Sequence, residues 1–178
     1  MVNDILYAFW VFLPAGVANM SPVLASYIPL LNNWNTPVDF GKTWYGNRLL
    51  GDNKRFRGVL VGVLSGLVIS IGQFSLNIYY QSGINSISSA AFSGVLLGFG
   101  AMIGDIVESF FKRRRKIKSG DSWFPFDQTD YIFGGLACWL WFVNISWQLV
   151  VYIFVVYFGL HLLVRYIGYK LGINDKAI

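Results

Sequence analysis

Four carboxylates in this chain stand in two pairs at helical spacing. Asp105 and Glu108 are three residues apart, and Asp127 and Asp130 repeat that interval, so each pair lies on one face of a helix. Acids converging from two segments are the ligand type that a hard cation such as Mg²⁺ takes, its other positions going to water and substrate phosphate. Plain structural roles stay open for each pair. Glu108 can pair with Lys112 one turn on, and Asp127 can cap the helix that follows it. Two pairs arriving from different segments favour a metal site over four independent caps and ion pairs.

A second cluster has the opposite sign. The run Gly51-Asp52-Asn53-Lys54-Arg55-Phe56-Arg57-Gly58 mixes three cations with glycine, Asn and Asp. Lysine as a point charge and arginine as a bidentate fork suit a polyphosphate held against flexible backbone. The alternative is a basic flank touching lipid headgroups. Gly41-Lys42-Thr43 has the end of a Walker A pattern, but Thr36 occupies the place of its first glycine, so a P-loop is rejected. The run from Lys112 to Lys116 reads as topology and headgroup contact, with one member in reach of a phosphate. His161 is the single histidine and Cys138 the single cysteine. A zinc site and an intrachain disulfide are thereby excluded, and both residues read as packing groups.

The elements that must hold these groups are apolar. Of 178 residues, 55% are hydrophobic and 13% charged, with 14 Lys and Arg against 9 acids and a net charge of +5. That balance excludes an ordinary soluble domain. Windows of about 20 apolar residues cross a hydrocarbon core, and they give an all-α integral membrane protein with five transmembrane helices in a single domain over residues 1–178. The expected spans are 5–31, 59–80, 86–111, 131–146 and 148–169, with charged loops at 32–58 and 112–130. Pro14, Gly16 and Pro22 predict a broken first span whose freed carbonyls need partners inside the protein. The last apolar block divides at Asn144-Ile145-Ser146-Trp147.

With five spans, all the cations fall on one face: five in the first loop, six after the third span and three near the C-terminal end. By the positive-inside rule that face is cytoplasmic, with the N-terminus outside and the C-terminus inside. The connections near Gln81 to Asn85 and Asn144 to Trp147 carry no charge. Gly58, Gly62 and Gly66, then Gly94 and Gly98, then Gly100 and Gly104, recur every four residues, the spacing that lets helix backbones approach in lipid. The second and third spans are expected at the bundle centre.

Three stretches carry a family resemblance: GDNKRFRG at 51–58, GDIVESFFKRR at 104–114 and PFDQTD at 125–130. Together they resemble the CTP-dependent lipid cytidylyltransferases of membranes, in the archaeal branch represented by the CDP-archaeol synthases, across nearly the whole chain. Asp105, Glu108, Ser109 and Lys112 occupy the family's first acidic motif, and Asp127 and Asp130 the second. The P-G-H-G-G stretch of the bacterial and eukaryotic enzymes is absent before Asp127. Arg55-Phe56 also stands where the archaeal pattern has Thr-Trp.

The resemblance implies CTP and an isoprenoid ether-lipid phosphate as substrates, Mg²⁺ as cofactor, and an active site facing the cytoplasm from the cell membrane. It implies Asp105 and Asp130 as metal ligands, with Asp127 and Glu108 as further ones. Lys54 and Arg57 are then the residues that screen the leaving pyrophosphate, joined by Lys42, Arg48 and Lys112. Asp52 and Asn53 complete the nucleotide loop, and Asn53 or Asn47 reads the base. A nucleic-acid partner is not expected. Two other readings are a CDP-alcohol phosphotransferase, whose D-G-x-x-A-R opening is missing, and a small transporter or channel subunit. The latter calls for charges at mid-span, whereas these acids lie at span ends.

Overall fold

The computed structural model describes residues 2–77, 83–118 and 120–172, apart from the side chains of Leu24 and Asn32. The expected connection at Gln81, and the tail residues Asp175 and Lys176, lie outside the described residues. The described residues are mainly helical, with a small two-stranded hairpin. Helices α1 (Val2–Val11), α2 (Leu13–Ala25) and the short α3 (Pro29–Asn32) come first. The hairpin β1 (Thr43–Trp44) and β2 (Asn47–Arg48) follows, then α4 (Phe56–Ser75), α5 (Ile87–Arg114), α6 (Phe126–Trp139) and α7 (Trp147–Lys170).

The expected break in the first span falls at Phe12, where α1 and α2 meet at 44°. Pro14 explains it: a proline lacks the N–H, and its ring crowds the carbonyl four residues back, here Trp10. The freed groups find partners on other helices. Gln73 Nε2 of α4 donates to the Trp10 carbonyl, and the Tyr157 hydroxyl of α7 donates to the Phe9 carbonyl. The proline thus ties α1 to two distant elements.

Helix α5 is central. Gly66 of α4 meets Gly94 and Gly98 of α5, and Gly62 faces Met102. On the other side, Gly100 lies against Gly134 of α6, and a Cβ on Gly104 would stand 2.1 Å from the Asp130 carbonyl. Only backbone fits there. Trp139 donates across the α5–α6 interface to Ser93 at 2.6 Å, and the apolar core gathers Phe12, Leu97, Ile132, Leu136 and Ile153. The second expected span, α4, packs on one flank of α5, with α6 on the other.

Helix boundaries move from the expected ones in a consistent way. The expected spans 59–80 and 86–111 begin and end differently from α4 and α5, the latter carrying its basic last turn through Arg114. The expected fourth span, 131–146, is instead α6 at Phe126–Trp139, because its first turns hold the polar Asp127, Gln128 and Asp130 that hydropathy leaves out. The connection to α7 is where the sequence divides, with Ser146 capping α7 through Leu149 N–H. Helices α4, α5 and α7 are long and apolar enough to cross a membrane, and α1 with α2 makes a bent fourth. With 14 residues, α6 is about 21 Å long, short of a hydrocarbon core of about 30 Å.

Candidate active site

The close approach of α5 and α6 at Gly104 sets Asp105 beside Asp130. Asp105, Glu108 and Asp130 each offer a carboxylate oxygen, and these oxygens all lie within 4.8 Å of one another. Asp105 is held by Lys54, whose Nζ is 2.6 Å from both carboxylate oxygens. Asp130 Oδ1 accepts from the Tyr131 N–H at 2.6 Å. Glu108 is 8% exposed; its Oε1 has no hydrogen-bond partner among the described residues, and the nearest cation, Lys112 Nζ, stands 3.6 Å away. A buried carboxylate oxygen left this way, next to two more carboxylates, fits a divalent cation.

Asp127 sits at the edge of this cluster in contacts of its own. It accepts from Lys112 Nζ at 2.7 Å and from the Trp123 N–H at 2.8 Å. Lys112 therefore bridges Glu108 on its own helix to Asp127 on α6; of the two plain structural roles weighed for the acids, the Glu108–Lys112 pair forms, whereas Asp127 is no cap, because α6 starts one residue before it and its N-cap is Pro125. A cavity of about 50 Å³ opens beside Asp105, bordered by Asn53, Lys54 and Met102.

The first loop folds over the site around a residue the sequence reading passed over. Asp39 has a side chain 1% exposed that accepts from the N–H groups of Gly41, Leu50 and Gly51. It also accepts from Arg48 at 2.8 Å. Burial acts to raise its pKa, but the Arg48 guanidinium and the backbone N–H groups outweigh it and hold the carboxyl down at about 2. The signal available was the Asp-x-Gly pattern of an Asx turn, here with Phe40 and Gly41 both at positive φ, 48° and 79°.

Arg48 also reaches Asp52. Its pKa is raised, chiefly by the Asp39 hydrogen bond. Arg57 is buried and donates to the Leu31 carbonyl at 3.1 Å. Lys42 and Asn53 are exposed, and Asn47 donates to the Tyr45 carbonyl. Of the loop cations expected to meet a nucleotide, Lys54 is brought onto the carboxylate cluster. Arg114, from the run read as topology, instead clips the hairpin to α5: it donates to the carbonyls of Trp44 at 3.1 Å and Arg48 at 2.7 Å.

A carboxylate triad next to a lysine, under a basic loop and at the end of an apolar helix bundle, is the setting in which the chain meets its relatives. A family model described as CarS-like CDP-archaeol synthase matches residues 1–177. The chain belongs to that family. It is 35% identical to the CDP-archaeol synthase of Thermococcus kodakarensis over 172 residues, covering 96% of this chain and 95% of that one. It is 36% identical to the CDP-archaeol synthase of Methanospirillum hungatei over 169 residues, covering 85% and 98%. A solved structure, described as an intramembrane enzyme for archaeal membrane lipids biosynthesis, superposes with a TM-score of 0.74 at 30% identity, covering 90% of this chain and 94% of that one. The CDP-archaeol synthase membership and the apolar helices make this a membrane protein and a CTP-dependent nucleotidyltransferase.

Proposed function

We propose that the chain transfers CMP from CTP to 2,3-bis-O-(geranylgeranyl)-sn-glycerol 1-phosphate, releasing pyrophosphate and forming CDP-archaeol. The family membership supports this reading. The observation that carries its mechanism is the Asp105–Glu108–Asp130 triad with Lys54 upon it. The lipid phosphate is already an anion at neutral pH, so an oxygen of it attacks the α-phosphorus without a general base. The bond to the β-phosphate then breaks and pyrophosphate leaves with the electron pair.

What such a reaction needs is the alignment of two anions and the neutralisation of charge. Asp105, Glu108 and Asp130 would hold Mg²⁺, which supplies charge neutralisation at the phosphates when bound. Lys54, released from Asp105, follows the negative charge onto the leaving pyrophosphate. Arg57 is held where it reinforces this positive side, and Asp39, Arg48 and Asp52 fix the loop that presents both residues. Lys112 with Asp127 keeps the ends of α5 and α6 in register. The active face looks to the cytoplasm in this reading, with five helices embedded and the fourteen cations lying on that side.

The test is Asp105→Asn and Asp130→Asn in the full chain in detergent, assayed for pyrophosphate release with CTP, Mg²⁺ and the ether-lipid phosphate. Each variant should lose roughly a hundredfold or more in turnover with its melting temperature preserved. Wild-type turnover in both would overturn the assignment of the triad.

A further inference from the structure

The loop that carries Lys54 also carries a hairpin whose exposed aromatics the mechanism does not use. Trp44 and Tyr45 lie at its tip, 51% and 90% exposed, and Phe40, just before it, is 67% exposed. The strands pair Trp44 with Asn47, so Tyr45 and Gly46 form a two-residue turn, with φ of 49° and 75°. Such a turn favours Asn or Asp ahead of its glycine. A tyrosine at positive φ is a backbone outlier, and Phe40 is a second, at 48°. Strain of this kind persists where function uses it. Two strained, exposed aromatics in one loop call for a surface that takes them.

The neighbours of these rings say what that surface is. The Trp44 ring lies 6.0 Å from that of Phe110, and Phe110 lies 5.5 Å from Phe111. Phe111 is the last of four exposed apolar residues of α5, after Phe99, Ile103 and Val107, and their spacing of four puts them on one face. Helix α5 is long and apolar enough to cross a membrane, and this exposed apolar face is the one that meets lipid. Its 28 residues make about 42 Å, against about 30 Å for a hydrocarbon core and about 40–45 Å with the headgroups. The last turns of α5, and the hairpin set on them, therefore stand in the headgroup layer. Phe40 is placed likewise against the neighbouring span: its ring is 5.4 Å from that of Phe56, the first residue of α4. The Arg114 guanidinium lies over the Trp44 and Phe110 rings, 6.0 and 5.0 Å from their centres, and Lys42 is exposed between Phe40 and Trp44.

We propose that this hairpin is an interfacial foot. Phe40, Trp44 and Tyr45 rest at the boundary between headgroups and acyl chains of the surrounding bilayer, and Lys42 meets its anionic phosphates. The occupant is bulk membrane lipid rather than either substrate, so the inference needs only that α4 and α5 span the membrane. Aromatic rings with a polar edge suit that boundary, and a lysine beside them reaches phosphate with its ammonium while its stem stays among the rings. Foot and clasp then hold the loop from two sides. Arg114 ties the hairpin backbone to α5, and the bilayer takes the exposed side chains. Lys54 is thereby steadied over Asp105 by the membrane as well as by the protein.

The experiment uses the full chain with Cys138→Ala in nanodiscs of phosphatidylcholine and phosphatidylglycerol, carrying a nitroxide on Tyr45→Cys or, for reference, on Asp52→Cys. Asp52 belongs to the same loop, and its side chain is 75% exposed. Depth is read as the ratio of nitroxide collisions with oxygen, which concentrates among acyl chains, to collisions with a water-soluble nickel chelate. That ratio should be about threefold or more higher at Tyr45→Cys than at Asp52→Cys. Adding Phe40→Asn with Lys42→Glu to the labelled chain should bring the two ratios together. Asn suits the positive φ at residue 40, so the melting temperature should hold, and the variant separates anchoring by the chain's own groups from partition of the label. Equal ratios at the two labels, or a Tyr45→Cys ratio that survives the double variant, would overturn the foot. So would shielding from both reagents that appears only with CTP, which gives the hairpin to the nucleotide, or only in nanodiscs holding two chains, which gives it to a second copy.

Discussion

Asp39 shows how a residue outside every motif governs those inside one. Its carboxylate gathers three backbone N–H groups and Arg48, and the loop bearing Lys54 hangs from that knot. Because its folded pKa is depressed from 3.8 to about 2, the stability it contributes is complete above the unfolded value and is lost as pH falls through the folded one. The difference corresponds to roughly 2 kcal/mol. Replacing Asp39 by Asn should therefore lower stability by about that amount at pH 6, with the gap to wild type closing between about pH 4 and pH 2. Helical circular dichroism followed through denaturant at each pH measures it. The triad acids were legible because their spacing and chemistry coincide. Asp39 was not, since a lone loop acid acquires meaning only from the five donors that the fold brings to it. Arg114 is the mirror case: inside a run of cations its sequence said topology, whereas its place opposite two hairpin carbonyls makes it a clasp.

Among the elements, the α5–α6 seam decides whether the triad exists at all. The four-residue glycine spacing was readable as close packing, but which helix each glycine would face was not, because the spacing specifies a flat face and the partner is chosen in three dimensions. Gly58 meets Pro22, Gly66 meets Gly94, and Gly104 meets Asp130. A Cβ at Gly104 would collide with backbone rather than with a side chain that can turn away, so Gly104→Val should cost about 3 kcal/mol and push Asp105 off Asp130. Melting temperature and turnover should fall together. Gly72, whose Cβ would meet nothing within 4 Å, is the control, and its alanine variant should match wild type in both. The broken first span was equally legible from Pro14, though its partners were not: Gln73 and Tyr157 come from helices some sixty and a hundred and fifty residues away.

For the whole molecule, sidedness of charge was the strongest reading available from the sequence, and it makes a direct prediction. With Cys138 replaced by Ala, single cysteines introduced by Lys42→Cys and Lys116→Cys should react with an impermeant maleimide only from the cytoplasmic side of sealed vesicles. A cysteine introduced by Asn144→Cys should react only from outside. Labelling of Lys42→Cys from outside would reverse the proposed orientation. Hydropathy divided the chain into five crossings because it averages over residues, and the polar first turns of α6 disappeared in that average. The described helix is about 21 Å long, and the stretch after it, Leu140-Trp141-Phe142-Val143, is uncharged with Trp141 92% exposed. A bilayer meeting such a short member must dimple toward it, at a fraction of a kcal/mol for each ångström of mismatch. In the five-helix arrangement proposed above, film thickness would therefore bear first on α6, the element that carries Asp130.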